Sequence, residues 1–157
     1  MAQHQLLLLV LTVMVVGVSM VMGLASYQEN QKKFEREAAY MAMVDLAGKA
    51  MAYRRTPESL NGGTKANGVA SFEGFTMEKV GAILREGDGG GYDLLANGSC
   101  FTGNANSDGS QFRAAWYPNG DCDSSSNIVL RMIVSGSEPD DISIEDGGYA
   151  NEWINTK

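Results

Sequence analysis

The chain has 157 residues, room for an apolar N-terminal stretch and one compact domain of about 100 residues. Its net charge of −7 is uneven, with six basic against four acidic side chains in residues 1–55 and six against fifteen in 56–157; an acidic domain argues against nucleic acid as a specific partner, because phosphate binding needs clustered Lys and Arg. The only histidine is His4, ahead of the apolar stretch, so the domain has no imidazole for general-base or metal chemistry.

Leu6–Ala25 reads LLLLVLTVMVVGVSMVMGLA, without a charge or a proline. As a helix this rod spans ~30 Å, the thickness of a bilayer's hydrocarbon core. Gly23 and Ala25 are small enough for a signal-peptide cleavage site. The apolar run, however, exceeds the ~7–15 residues of a secretory signal, and Met1–Gln5 carries no Lys or Arg. The expectation is that the rod is retained. It is then either a single-pass anchor or a helix that starts in the membrane and ends buried among copies of itself. Ser19-x-x-x-Gly23 fits the small-xxx-small pattern of close helix contacts, beside the alternative that small residues occur in any apolar helix.

From Ser26 the sequence turns polar but keeps a helical pattern to Arg55, with Gly48 as an internal break and no proline before Pro57. Two series run at 3–4 spacing. One is Phe34, Ala38, Met41, Asp45 and Gly48. The other is Tyr40, Met43 or Val44, Ala47, Ala50 or Met51, and Arg54. Glu29 stands three and four residues before Lys32 and Lys33, the spacing of helical ion pairs. Pro57 disfavours helix before it and sets the end at about Thr56. The prediction is one helix from about Ala2 to Arg55, ~80 Å long. Its first part needs lipid or other helices around it, and its second part needs a domain on one face. The chain thus divides into a hydrophobic helix (1–26), an amphipathic continuation (27–56) and a β-rich head (57–157).

The head is rich in Gly, Asn, Ser and Asp, a composition of turns and short strands. After a Gly/Asn-rich loop, a short helix is predicted. Thr76 would cap it, Val80, Ile83 and Leu84 would form its apolar face, and the Gly87–Gly91 run would end it. Tyr92–Ala96 and Ser99–Thr102 flank Asn97-Gly98, a two-residue hairpin turn. Gln111–Tyr117 reads as a strand closed by Pro118-Asn119-Gly120. Asn127–Ser135 has the strongest strand pattern, with Ile128, Leu130, Met132 and Val134 alternating against Val129, Arg131 and Ile133. Ile142 and Ile144 suit a short edge strand, which Trp153 and Ile154 would help to dock. The fold class is α+β: a very long N-terminal helix with a small C-terminal antiparallel sheet. Cys100 and Cys122 are expected to pair, because a domain held outside the cytoplasm by the rod can keep a disulfide; the alternative is two buried free thiols.

Few residues carry chemistry. Asn104, Asn106 and Asp108, followed by Gly109, resemble the first half of a calcium loop. The twelfth position is Ala115 instead of Glu, so a solvated loop is the stronger reading and no cofactor is expected beyond this weak calcium candidate. The acidic run Glu138, Asp140, Asp141, Glu145 and Asp146 reads as a solvated face before a cation site. Asn97-Gly98-Ser99 matches a glycosylation sequon as well as a turn, and Ser124–Ser126 is a candidate for O-linked sugar. The head has no GxSxG, haem or zinc spacing, and the Gly87–Gly91 run lacks the Lys-Ser/Thr of a phosphate-binding loop. An enzyme is not expected.

The uncharged rod, its amphipathic continuation over Tyr27–Arg55 and the cysteine pair in the C-terminal half together resemble type IV pilins and pseudopilins. A closer resemblance, to bacterial pilin-like proteins, rests on Met1-Ala2-Gln3-His4-Gln5-Leu6-Leu7-Leu8, Asp45-Leu46-Ala47, Ala50, Tyr53-Arg54-Arg55-Thr56-Pro57, Ser59-Leu60, Gly62-Gly63, Ser71-Phe72 and Gly74-Phe75. The resemblance covers about the first third of the chain closely and the rest as a layout. It implies a filament with bundled helices inside and sheet domains outside. The assembly core would be Leu6, Leu7, Leu8, Leu9, Val10, Leu11, Val13, Met14, Val15, Val16, Val18, Met20, Val21, Met22 and Leu24. The implied partners are copies of the chain, the inner membrane before assembly and a pilus assembly machinery, and the implied location is the surface of a bacterium. The alternative is a membrane-anchored pseudopilin or monomeric ectodomain of a secretion system. Adhesion, motility, DNA uptake and surface scaffolding are all compatible roles. Three features depart from the family pattern. Met1 stands where a charged leader would be cut before Phe or Met, so Met1 is either the initiator or a processed terminus. Gln5 replaces a glutamate, and the rod lacks the family's proline.

Overall fold

The computed structural model describes residues 2–84, 91–95, 99–118, 122 and 128–147. Two units make up the chain, Met1–Glu37 and Ala38–Lys157. Helix α1 (Ala2–Arg55) contributes to both, with the bounds its sequence predicts. Gly17, Gly23 and Gly48 lie inside it; each costs a helix ~1 kcal/mol relative to Ala, too little to break one of this length.

The helix end is closed by specific bonds. Thr56 donates to the Ala52 carbonyl through both its backbone N–H (3.1 Å) and its Oγ1 (2.8 Å). Gly63 N–H bonds the Tyr53 carbonyl at 2.9 Å, and Thr64 Oγ1 bonds that of Arg54 at 2.6 Å. These satisfy carbonyls that a helix C-terminus otherwise leaves open. They also explain Gly62-Gly63: a Cβ on Gly62 would strike the Thr56 backbone, and one on Gly63 the Ser71 carbonyl.

In the first unit, every described side chain from Gln3 to Glu37 is exposed. Local bonds tie its polar groups: Lys33 to Glu29 at 2.9 Å, and Gln31 Nε2 to the Tyr27 hydroxyl at 2.8 Å.

In the second unit, α1 buries Ala39, Met43, Leu46, Ala47 and Ala50, a single stripe at 3–4 spacing. This follows the second of the two predicted series, turned slightly. The first series is not a buried face, since Met41, Asp45 and Gly48 are all exposed. Tyr40 and Val44 are exposed too.

The stripe belongs to one core with an antiparallel meander of six strands among the described residues: β1 (Ile83–Leu84), β2 (Tyr92–Asp93), β3 (Cys100–Ala105), β4 (Phe112–Tyr117), β5 (Leu130–Val134) and β6 (Ile142–Asp146). Antiparallel neighbours need only short connections, so strand order follows chain order. The core-facing rows are Phe101, Trp116 and Leu130, then Ala114, Met132 and Ile144, then Ala105, Phe112, Val134 and Ile142. Burying each large side chain is worth ~1.5–3 kcal/mol. Phe75 stacks edge-on against Phe112 with ring centroids 4.7 Å apart. On the opposite face, Cys100, Ala115, Tyr117, Cys122 and Ile128 form a second small core.

Several sequence expectations are corrected. The helix after Thr76 is only a 3-10 turn, Met77–Val80, and the Thr76 side chain makes no capping bond. Gly81 ends it, at φ +82°, a conformation that glycine adopts without the Cβ penalty. Ile83 and Leu84 therefore form β1, and Ile83 is exposed. Strand β3 runs three residues past the predicted Thr102, and β5 is shorter than Asn127–Ser135. The alternation in β5 is as predicted, and β6 is the last strand of the meander. The turn at Asn97-Gly98, most of the Gly87–Gly91 run, and Trp153 and Ile154 lie outside the described residues.

Candidate functional site

The strongest feature is the surface of the rod. Its fifteen Leu, Val and Met side chains between Leu6 and Leu24 are 44–70% exposed. This is the one helix among the described residues that is long and apolar enough to cross a membrane. A helix that is apolar all round is not at rest in water; it requires lipid or other helices.

The circumference is not uniform. Gln5, Thr12, Ser19 and Ser26 recur every seven residues. Seven steps of an α-helix return within ~20° of the starting direction, so these residues line one side. Gly23 lies on the same side, with nothing within 4 Å of where a Cβ would stand. The two hydroxyls inside the rod are already satisfied. Thr12 Oγ1 donates to the Leu9 carbonyl and Ser19 Oγ to that of Val15, each at 2.8 Å. This side is thus narrow and small, and these hydroxyls have no demand for outside partners, which suits close approach of another backbone in an apolar medium. The seven-residue spacing is legible in the sequence and extends the Ser19–Gly23 pair.

In the head, Cys100 and Cys122 form a disulfide with Cα atoms 5.7 Å apart. Both are buried, and a Cβ on Gly91 would collide with both sulfurs, so Gly91 backbone covers the bridge. The bridge ties β3 to the segment beyond β4.

The three calcium-loop candidates are separated by the fold. Asn104 is in β3, opposite Arg113. Asn106 and Asp108 belong to the β3–β4 hairpin loop, where Asn106 Oδ1 accepts from Gln111 N–H and Asp108 Oδ1 from Ser110 N–H, both at 2.8 Å. The bonds from Ser110, its backbone N–H foremost, hold the Asp108 carboxyl below its usual range. The loop carbonyl of Gly109 also receives Phe72 N–H at 2.8 Å. These residues build a hairpin and dock it.

The acidic run is likewise dispersed. On the 3-10 turn Pro139–Asp141, Asp141 Oδ2 accepts from Glu138 N–H at 2.9 Å, and Asp141 N–H donates to the Glu138 carbonyl at 3.0 Å. Glu145 pairs with Arg131 across β5–β6 at 2.7 Å, and that guanidinium, with the Ser143 hydroxyl, lowers its carboxyl. Among the described residues, no three His, Cys, Asp or Glu side chains come together as a metal set. Asn97 and Ser124–Ser126 lie outside the described residues.

Arg54 and Arg55 hold a position that their sequence does not disclose. Arg54 Nη1 donates to the Ser135 carbonyl at 2.6 Å, and its guanidinium lies 5.0 Å above the Phe72 ring. Arg55 Nη2 donates to the Ser137 carbonyl. They clamp the helix end to the β5–β6 turn. In sequence, two arginines in a last helical turn indicate only a favourable dipole interaction.

Searches of protein-family models, curated proteins and solved structures find no match to this chain.

Proposed function

We propose that the chain is the structural subunit of an extracellular, pilus-like helical filament. Rods of many copies bundle as the filament core, and the acidic sheet domains coat it. Before assembly the same rod holds the subunit in the inner membrane of a bacterium, where an assembly machinery extracts it.

One observation carries this reading above a plain anchor. Apolar side chains remain uncovered on α1 beyond the length a bilayer needs. Tyr27, Phe34, Tyr40, Met41 and Val44 are 42–70% exposed although the head packs the adjacent Ala39, Met43 and Ala47. A bilayer's apolar core covers about 20 helical residues, and Leu6–Ala25 already supplies them. Side chains further along the helix gain cover from other subunits. The line of small residues Thr12, Ser19, Gly23 and Ser26 supports close helix contact along the rod.

The all-round apolar rod equally suits lipid, which keeps a second reading in play: a membrane-anchored pseudopilin or monomeric ectodomain of a secretion system. Negative-stain microscopy of sheared cell-surface material separates the two. Thin filaments that label with an antibody to this chain support the proposal. Recovery of the chain only from detergent-solubilised membranes, as a monomer, refutes it.

A further inference from the structure

We propose that the row Tyr40, Val44, Gly48 and Ala52 on α1 is a docking surface for a second copy of the chain, whose own helix crosses it at Gly48. The inference rests on the filament reading and assigns the flank of α1 through which copies meet outside the membrane.

The four residues recur every four positions, which makes them one ridge of a helix surface. All belong to the second unit and all are exposed. Tyr40 and Val44 are 46% and 42% exposed, and Met41, beside the row, is 70% exposed. The row carries no charge. Asp45 and Lys49 are the only charged residues between Ala38 and Tyr53, and they pair with each other at 2.7 Å. They lie ~60–100° round the helix from Gly48, on the neighbouring flank. Lipid is not what covers the row, since it begins fifteen residues after Ala25, where the bilayer-length stretch ends.

Gly48 is the anomaly in the row. It lies inside the helix without a positive φ, and nothing stands within 4 Å of where its Cβ would be. Neither the backbone nor the packing of this chain requires glycine there, and in a helix interior only proline is less favourable. What a missing side chain does provide is close approach of another backbone. Gly48 thus opens a notch in the ridge, between Val44 and Ala52, into which a crossing helix fits.

The size of the flank selects the occupant. The exposed parts of Tyr40, Met41 and Val44 amount to roughly 300 Å², against ~800 Å² per partner in a stable interface. A partner held by this row alone would not stay. A second copy brings the missing area through its rod, which the filament reading packs against this one.

The test uses the full chain with its disulfide intact. Detergent is removed and the associated fraction sedimented, while urea unfolding of the head is followed in parallel. Gly48→Leu fills the notch with a residue that favours helix. The expected result is at least a tenfold rise in the concentration needed for association, with the urea midpoint unchanged or raised. A glycine kept for the fold of the head would give the opposite, a lowered midpoint. Lys49→Leu adds the same side chain on the neighbouring flank and is expected to associate as the native chain does. Gly48→Leu that associates at the native concentration, a lowered midpoint in that variant, or an equal loss of association in Lys49→Leu overturns this inference alone. Native chain that stays monomeric overturns the filament reading, and this inference with it.

Discussion

Val15→Asp tests the rod directly. Val15 is near the middle of Leu6–Ala25 and is 58% exposed in the single chain. Val15 lies in the first unit, and the residues that α1 gives to the head core begin at Ala39, so the head's unfolding midpoint is expected to stay in place. Its cost falls on the assembled state. An Asp at the centre of a membrane helix costs about 2.5–3.5 kcal/mol on insertion scales. Within a helix bundle the carboxylate meets only Leu, Val and Met from neighbouring rods, without a cation to pair. At about 1.4 kcal/mol per tenfold, association of the variant weakens by roughly a hundredfold or more. The assay removes detergent from the purified chain, sediments the associated material and images it. Thermal unfolding of the head, followed by near-UV circular dichroism, runs in parallel. The expected pattern is lost association with an unchanged unfolding midpoint, while Val15→Leu keeps both. Association of Val15→Asp at the native concentration would refute the reasoning, because the rod surface would then not be the packing surface. A lowered midpoint would show that the rod supports the head.

The remaining predictions concern the head. Leu46→Ala, at a site 1% exposed in the helix–sheet core, is expected to cost about 2–5 kcal/mol in urea unfolding, whereas Phe34→Ala on the exposed stretch leaves the midpoint in place. Opening the disulfide with the double variant C100S/C122S, across a separation of 22 residues, is expected to remove about 3 kcal/mol by loop entropy, read as a lower urea midpoint. The pH response follows from two surface pairs. Lys65 lowers the Glu73 carboxyl and Arg131 that of Glu145. Carboxyls lowered in the folded state contribute stability above the ordinary glutamate value of 4.5, and lose it as pH falls through their lowered folded values. Glu73 raises Lys65 in return, so that contribution persists through neutral pH and fades only on strong alkalinisation. The head's unfolding temperature is expected to fall gently on acidification. Arg131→Gln should remove the Glu145 share of that slope, and an unaltered slope would show that the pair contributes nothing.

Helix α1 was legible from about Ala2 to Arg55 because its determinants are local. Leu6–Ala25 has no charge, no proline interrupts before Pro57, and apolar positions recur at helical spacing. The same holds for the alternation in β5, whereas the cysteine pair was expected because the chain has only two cysteines. The seven-residue series Gln5, Thr12, Ser19 and Ser26 belongs with these, since it is a matter of spacing alone. What the sequence left undecided were choices between equivalent local patterns. Two series at helical spacing ran along residues 34–54, and packing against the sheet buried Met43, Ala47 and Ala50 of the second together with Ala39 and Leu46, which belong to neither. Ile83 and Leu84 fit a helical face as well as a strand, and pairing with Tyr92 and Asp93 decided the matter. Asn104, Asn106 and Asp108 carried the letters of a calcium loop until the β3–β4 register put the first in a strand and bound the other two within a hairpin. The Arg54 and Arg55 clamp joins residues about 80 positions apart, which no local pattern encodes. Short-range propensity is thus written in the sequence, whereas the choice among degenerate faces, and every contact between distant segments, depends on which surfaces the folded chain brings together.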